Sequence, residues 1–257
     1  MDSIFVDIIL PSYNNGTTID ETIASVVDQS VFERTVLHIQ DDCSTDDTAE
    51  CAQRWADRFT NVRFRRNREN VGVMSNYRIL LSHCTASFVA PIEGDDVWIS
   101  NTRVQQMVDY LAITGRAAVF SGFMIDDRMS GKVAPAPISG NRFRTLSVFE
   151  MLRGNPPASF SNCVYKRDAL ESAFSDALEA SGYDWLVNTI IAHRDGGFDF
   201  YPEILSCYRV LSSGAWSSLS SADKGTLVSQ TLQDLSRYLG PRYASALKAA
   251  HPADRGR

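Results

Sequence analysis

Short apolar runs of strand length alternate with segments of helical periodicity over the first hundred residues, and that alternation narrows the fold to a small set. Residues 5–10 form one such run, closed by Pro11, and read as a buried strand. Thr18-Ile19-Asp20-Glu21 then has capping-box form, and Ile19, Ile23, Val26 and Val27 follow at helical spacing. Residues 36–39 are a second strand, and Ser44-Thr45-Asp46-Asp47 opens a second helix that runs to Phe59. A strand at 62–64, a helix at 73–84 and a strand at 87–92 complete the series. Four strands joined by three helices imply right-handed crossovers and a mostly parallel α/β sheet.

The remainder is less regular. A helix is expected at 101–114, a hairpin from 117–125 and 132–134, a short helix at 145–153, and a strand at 160–165. A helix at 184–193 and an extended segment at 198–210 follow. A helical stretch at 222–250, broken at Gly240-Pro241, ends in a frayed tail.

In a parallel sheet, ligands lie beyond the carboxyl ends of the strands. The polar clusters of this chain fall there: Ser12-Tyr13-Asn14-Asn15, Asp41-Asp42, and Glu93-Gly94-Asp95-Asp96. Neither GxGxxG nor GxxxxGK[ST] occurs, so a nucleotide must be held in another way. Carboxylates repel a diphosphate unless a divalent cation bridges them. Ser44, Asp46 and Asp47 suit the start of a helix. Asp41, at the buried end of a strand, needs a partner, and a base N–H is one such partner.

Bulk properties exclude other classes. The net charge of −6 is unsuited to a nucleic-acid backbone, and the short basic run Arg63 to Arg68 reads as a solvated strand end. No run of eighteen apolar residues spans a membrane. The first residues lack a basic leader and read as a strand. Five cysteines, none in CxxC spacing, argue against a disulfide framework or a zinc site and fit a reducing compartment. His38 and His83 have no spaced partner that suggests a metal cluster.

Pro11-Ser12-Tyr13-Asn14, Asp41 to Asp46, Asn70-Val71-Gly72 with Asn76, Glu93 to Trp98, Tyr183-Asp184-Trp185 and Tyr208 to Ser217 occur in an order that resembles the family 2 glycosyltransferases of the GT-A fold. The resemblance covers residues 4–217. It implies a nucleotide-binding half (1–100), an acceptor half (101–217) and a C-terminal helical extension (218–257).

The resemblance further implies an inverting transfer of sugar from a nucleotide diphosphate donor, UDP-linked by preference, to a hydroxyl of a glycan or lipid-linked acceptor. That belongs to cell-surface polysaccharide synthesis, with the protein cytoplasmic or peripheral at the inner membrane face. By match to the family motifs, Pro11, Tyr13, Asn15, Asp41, Gly72, Asn76, Glu93, Gly94 and Asp95 bind the nucleotide. Asp95 and Asp96 hold a divalent metal (Mn2+ or Mg2+), and Asp184 is the catalytic base. Trp98, Trp185 and Trp216 are placed to stack on sugar faces or to pack in the core.

Two departures stand out. Leu211 occupies the position of a metal-binding His in many relatives, and the DxD motif opens with Glu93. Two other readings compete: nucleotidyl transfer, which wants a basic glycine-rich loop after the first strand, and a non-catalytic nucleotide-binding scaffold.

Overall fold

The computed structural model describes residues 6–138, 142–177 and 184–250. The expected alternation is present as β1 (Val6–Ser12), α1 (Ile19–Val27), β2 (Thr35–Asp41), α2 (Thr48–Arg58), β3 (Val62–Arg66), α3 (Val73–Leu81) and β4 (Phe88–Pro91). The four strands are parallel in the order β3-β2-β1-β4. Every residue of β1 is buried, as a central strand covered on both faces must be.

After β5 (Val97–Trp98) and α4 (Arg103–Thr114), the chain forms β6 (Ala118–Asp127), β7 (Lys132–Pro135), β8 (Arg144–Leu146), α5 (Val148–Leu152), β9 (Cys163–Lys166) and α6 (Arg167–Asp176). It ends with α7 (Asp184–Asp195), β10 (Phe198–Val210), α8 (Ser221–Leu239) and α9 (Ala244–Ala250). Strand β9 enters antiparallel between β4 and β6, and β10 lies parallel to β6. One mixed sheet therefore runs β3-β2-β1-β4-β9-β6-β10-β5, with β7 and β8 as side pairings.

Alternate residues of the central strand feed two cores, as the two-residue period of a strand requires. Ile8 and Leu10 join Ile19, Ile23, Val104 and Leu111 from α1 and α4. Ile9 joins Tyr77 and Leu80 of α3, Phe174 of α6, Ile190 of α7 and Leu235 of α8 on the other side. The C-terminal helices thus seal the face of α7, the helix that begins with Asp184.

Three local expectations are corrected. Thr18 and Glu21 do not close a capping box, since the Thr18 side chain makes no cap bond and turns to the loop after β4. Residues 144–146 pair with β10, so the expected helix at 145–153 starts only at Val148, where Ser147 and Glu150 do form a capping box. Phe160–Asn162 is a 3-10 turn, and only Cys163–Lys166 is strand. Helix α6 is absent from the sequence reading, although Leu170, Ala173 and Phe174 sit on its buried face. Tyr183, Asn141 and the tail from 251 lie outside the described residues.

Leu235 is fully buried against α7, whereas Ile113 is 85% exposed. Leu235→Ala should cost about 2–5 kcal/mol in urea unfolding, and Ile113→Ala should change stability by less than about 0.5 kcal/mol.

Candidate active site

The parallel registers bring Ser12 beside Asp41 and Ile9 beside Pro91, so the tips of β1, β2 and β4 share one sheet edge. The loop after β1 is tied across that edge. Asn14, at φ 52°, receives the Thr45 N–H on Oδ1 at 2.9 Å and donates its own N–H to Ser44 Oγ at 2.9 Å. Asn15 donates its N–H to Thr48 Oγ1 and accepts the Tyr13 N–H on Oδ1. The Tyr13 ring is left 48% exposed, a face open to a flat ligand.

Asp41 is fully buried, and its partners are within the protein. Ser44 donates its N–H at 3.1 Å and its hydroxyl as well, and Arg66 Nε stands 3.1 Å away. Burial of this carboxylate therefore does not of itself demand a ligand. Arg66 also donates to the Ser44 carbonyl, so it is a bracing residue and not merely a solvated strand end. Asp42 accepts from Asn67 at 2.8 Å and from the N–H groups of Val71 and Gly72 at 2.9 Å each. Gly72, at φ 83°, can then turn the chain into α3. Asn76 is buried, with its amide spent on the Gln40 carbonyl and on Asn67. It supports the pocket floor from beneath.

The loop after β4 carries three acids in four residues, and α1 holds its backbone. Thr18 and Thr22 donate their hydroxyls to the Gly94 carbonyl at 2.8 and 3.1 Å, and Thr22 also reaches the Asp96 carbonyl at 2.7 Å. Gly94 packs so closely on Asn15 that an added Cβ would lie 2.5 Å from Asn15 Oδ1. Arg209, almost fully buried, donates to the Asp95 carbonyl and pairs with Glu21.

The acid side chains then diverge. Asp96 points inward: Oδ1 accepts the Arg209 N–H at 2.9 Å and Oδ2 faces Ser159 Oγ at 3.0 Å. Asp96 has no exposed surface and pins the loop through the Arg209 N–H, while Asp95 is the more open of the two acids expected to hold a metal. Glu93 faces Ser159 Oγ at 2.7 Å and the Tyr77 hydroxyl at 3.4 Å. The Asp95 carboxylate accepts no hydrogen bond from any other described residue.

Electrostatics unite this loop with α7. Burial, then the charges of Asp96, Asp95 and Asp184, hold the Glu93 carboxyl well above the usual range. Burial and the neighbouring Asp95 push Asp96 up to about 7. Burial raises Asp184 to about 6, offset in part by the hydrogen bond from Asn155. The Tyr208 phenol is raised by burial and by the fields of all four acids, so it stands among them. Such a set of crowded carboxylates suits a divalent cation: Mg2+ and Mn2+ bind through one or two carboxylates and substrate phosphates, which Asp95 with Glu93 beside it can provide. Leu211 adds no ligand, and its carbonyl closes the turn after β10 by accepting from Gly214 and Ser217.

The tryptophans separate. Trp98 is 4% exposed, donates Nε1–H to the Ser161 carbonyl at 3.0 Å and lies under the Arg103 guanidinium at 4.5 Å. It is a core residue, the second of the two readings its sequence position allowed. Trp185 donates to the Met151 carbonyl and rests on the core, half-buried. Trp216 is exposed, with Lys224 over its ring. Ser159, Asn155, Tyr77, Tyr208 and Arg209 were not identified as site residues from the sequence. They reach the acids from 16 to 114 residues away, and no spacing rule signals that.

Residues 7–174 match Glycosyl transferase family 2, and the chain belongs to that family. It is 28% identical over 145 residues to the E. coli UDP-Glc:alpha-D-GlcNAc-diphosphoundecaprenol beta-1,3-glucosyltransferase WfgD, covering 55% of this chain and 56% of that protein. The fold is that of S. aureus TarS solved with UDP-GlcNAc (TM-score 0.72, 14% identity, 90% of this chain, 66% of that one). It is also that of the mannosyltransferase PcManGT of Pyrobaculum calidifontis, solved with GDP-Man and Mn2+ (TM-score 0.71, 17% identity, 97% of this chain, 70% of that one). The chain spans 61% of the length of the relatives that match it most extensively.

Gly94→Ala should force Asn15 aside and destabilise the protein by about 1–3 kcal/mol, read by urea unfolding. Gly225→Ala, in α8 with open space around it, should be neutral or stabilising.

Proposed function

We propose that this chain transfers a sugar from a nucleotide diphosphate donor, UDP-linked by preference, to an acceptor hydroxyl with inversion at the anomeric carbon. The observation that carries the reading is one short loop that reaches both groups: Asn155 donates its amide to the Asp184 carboxylate, and four residues on the Ser159 hydroxyl lies 2.7 Å from the Glu93 carboxylate of the acidic loop. A single carboxylate opposite a diphosphate site is what one direct displacement requires. A pair flanking one bond would instead suit hydrolysis.

Tyr13, Pro11 and Asn15 form one wall for the nucleotide, with Gly72 and Asp41 on the other side and Asn76 below. A bound Mn2+ or Mg2+, held by Asp95 with Glu93 close by, supplies positive charge against the leaving diphosphate. Ser159 and Arg209 fix the loop, so that Asp95 remains directed at the site. Asp184 takes the acceptor hydroxyl proton as the new C–O bond forms and the bond to the diphosphate breaks. Its raised pKa keeps it basic enough to accept a proton yet ionised at neutral pH. Trp185 and Trp216 remain for the acceptor side.

The name of WfgD, an alpha-D-GlcNAc-diphosphoundecaprenol glucosyltransferase, supports a lipid-linked glycan as the acceptor class. Among the described residues no helix is long and apolar enough to cross a membrane, so we place such an acceptor at a membrane face that the protein visits peripherally. This is one step of cell-surface polysaccharide assembly.

Asp184→Asn should lower kcat by about 10²- to 10⁴-fold. Wild-type kcat/KM should fall as pH drops through about 6, with that limb absent from the residual activity of the variant. Ionising a group whose folded pKa is raised costs stability, progressively as pH rises from its unfolded value to about 6. The inactive variant should therefore be at least as stable as wild type at pH 7. A variant that is both inactive and strongly destabilised would point to a structural role. In a thermal-shift panel of UDP, GDP and dTDP, UDP with manganese should raise the Tm most. Asp95→Ala should remove the manganese-dependent part, and an unchanged shift would reject that ligand.

A further inference from the structure

Asp7, His38 and Cys84 each place a ligand atom within 4.8 Å of the other two, all three buried. The cluster sits at the start of β1, on the far side of the strands from the acidic loop, between β1, β2 and the turn that follows α3. His38 Nε2 lies 3.0 Å from Asp7 Oδ1, and the other Asp7 oxygen accepts the N–H groups of Thr85 and Ala86 at 2.6 and 2.8 Å. An ordinary buried Asp–His hydrogen bond accounts for two of these residues. It leaves His38 Nδ1 buried without a partner, and the Cys84 thiol, which faces the Leu80 carbonyl at 3.5 Å, lies near enough to share one ion with the pair.

We propose that Asp7, His38 and Cys84 bind one borderline-soft divalent ion, zinc by chemistry, at a site distinct from the catalytic edge. One carboxylate, one imidazole and one thiol form a mixed O, N and S donor set that suits Zn2+, with water in the fourth position. The 3.0 Å Asp–His contact is a hydrogen bond that an ion would replace, the two atoms parting by a few tenths of an ångström to the roughly 3.3 Å that a tetrahedral zinc sets between N and O ligands. The Thr85 and Ala86 N–H groups hold the carboxylate from behind and join it to the thiol-bearing turn, the outer-shell bracing that metal carboxylates have. Ion binding replaces the thiol proton, which leaves to solvent, with a metal–sulfur bond. His83 stacks on the His38 ring at 6.4 Å and Thr85 is exposed, so only one layer separates the cluster from water. The spacing of these residues, 31 and 46 apart in sequence, hides the cluster from any motif.

Tag-free protein, stripped with chelator and titrated with Co2+, tests this site without reference to activity. One equivalent should produce a thiolate-to-cobalt charge-transfer band that Zn2+ bleaches. Cys84→Ser should lose the band, and His38→Gln should weaken cobalt binding by about tenfold or more, while Asp95→Asn and Cys43→Ser keep the band intact. A Tm that rises with Zn2+ in Asp95→Asn but not in Cys84→Ser would support the site where His38→Gln folds poorly. No band in wild type, or a band that survives in Cys84→Ser, would overturn the assignment.

Discussion

Packing several like-charged carboxylates into one buried sheet edge is the constraint on which the rest of this structure depends. Glu93, Asp95 and Asp96 fall within four residues; burial drives all three protonation equilibria upward, and repulsion from neighbouring acids adds to it at Glu93 and Asp96. The fold keeps them together by engaging the backbone between them. Thr18, Thr22 and Arg209 donate to loop carbonyls, while the Ser161 hydroxyl receives the Glu93 N–H. The Asp95 carboxylate accepts no hydrogen bond from any other described residue. A site built in this way is arranged to be completed by positive charge.

The second half of the chain serves the same edge. Strand β10 brings Arg209 to the back of the acidic loop and sets Tyr208 within the field of its acids. The turn at Phe160–Asn162 presents Ser159 and Ser161, and the fully buried Arg103 fixes that turn by donating to the carbonyls of Ser161 and Cys163. Helix α7 presents Asp184 at its first residue, and α8 buries Leu232, Leu235 and Leu239 behind the helices of that layer. The C-terminal helices thus stabilise the element that carries the proposed base.

How far the sequence could be read follows from the range of the forces involved. The parallel half was legible because strand and helix periods are local, and so was the gathering of polar loops at the strand ends. Side-chain destinations were not, because they depend on contacts far apart in sequence. Thr18 looks like a helix cap until Gly94, 76 residues on, offers its carbonyl. Asp41 looks unpaired until Arg66 arrives on the next strand. Trp98 and Asp96 look like ligand contacts by position, yet one lies under Arg103 and the other is held by Ser159 and the Arg209 N–H. The strand at 160–165 was begun too early because Phe160 is apolar like Cys163, Val164 and Tyr165, whereas Ser161 and Asn162 lie in a turn that Ser159 caps by accepting the Ser161 N–H.

The most direct measurement of the central claim is a crystal structure with UDP and Mn2+, with manganese located by its anomalous scattering. The account predicts one peak bonded to Asp95 and the diphosphate oxygens, with Asp96 still turned toward Ser159 and the Asp184 carboxylate facing the open side of the phosphate. UDP bound at another face, or a diphosphate on the sheet edge held with no ion near Asp95, would contradict it.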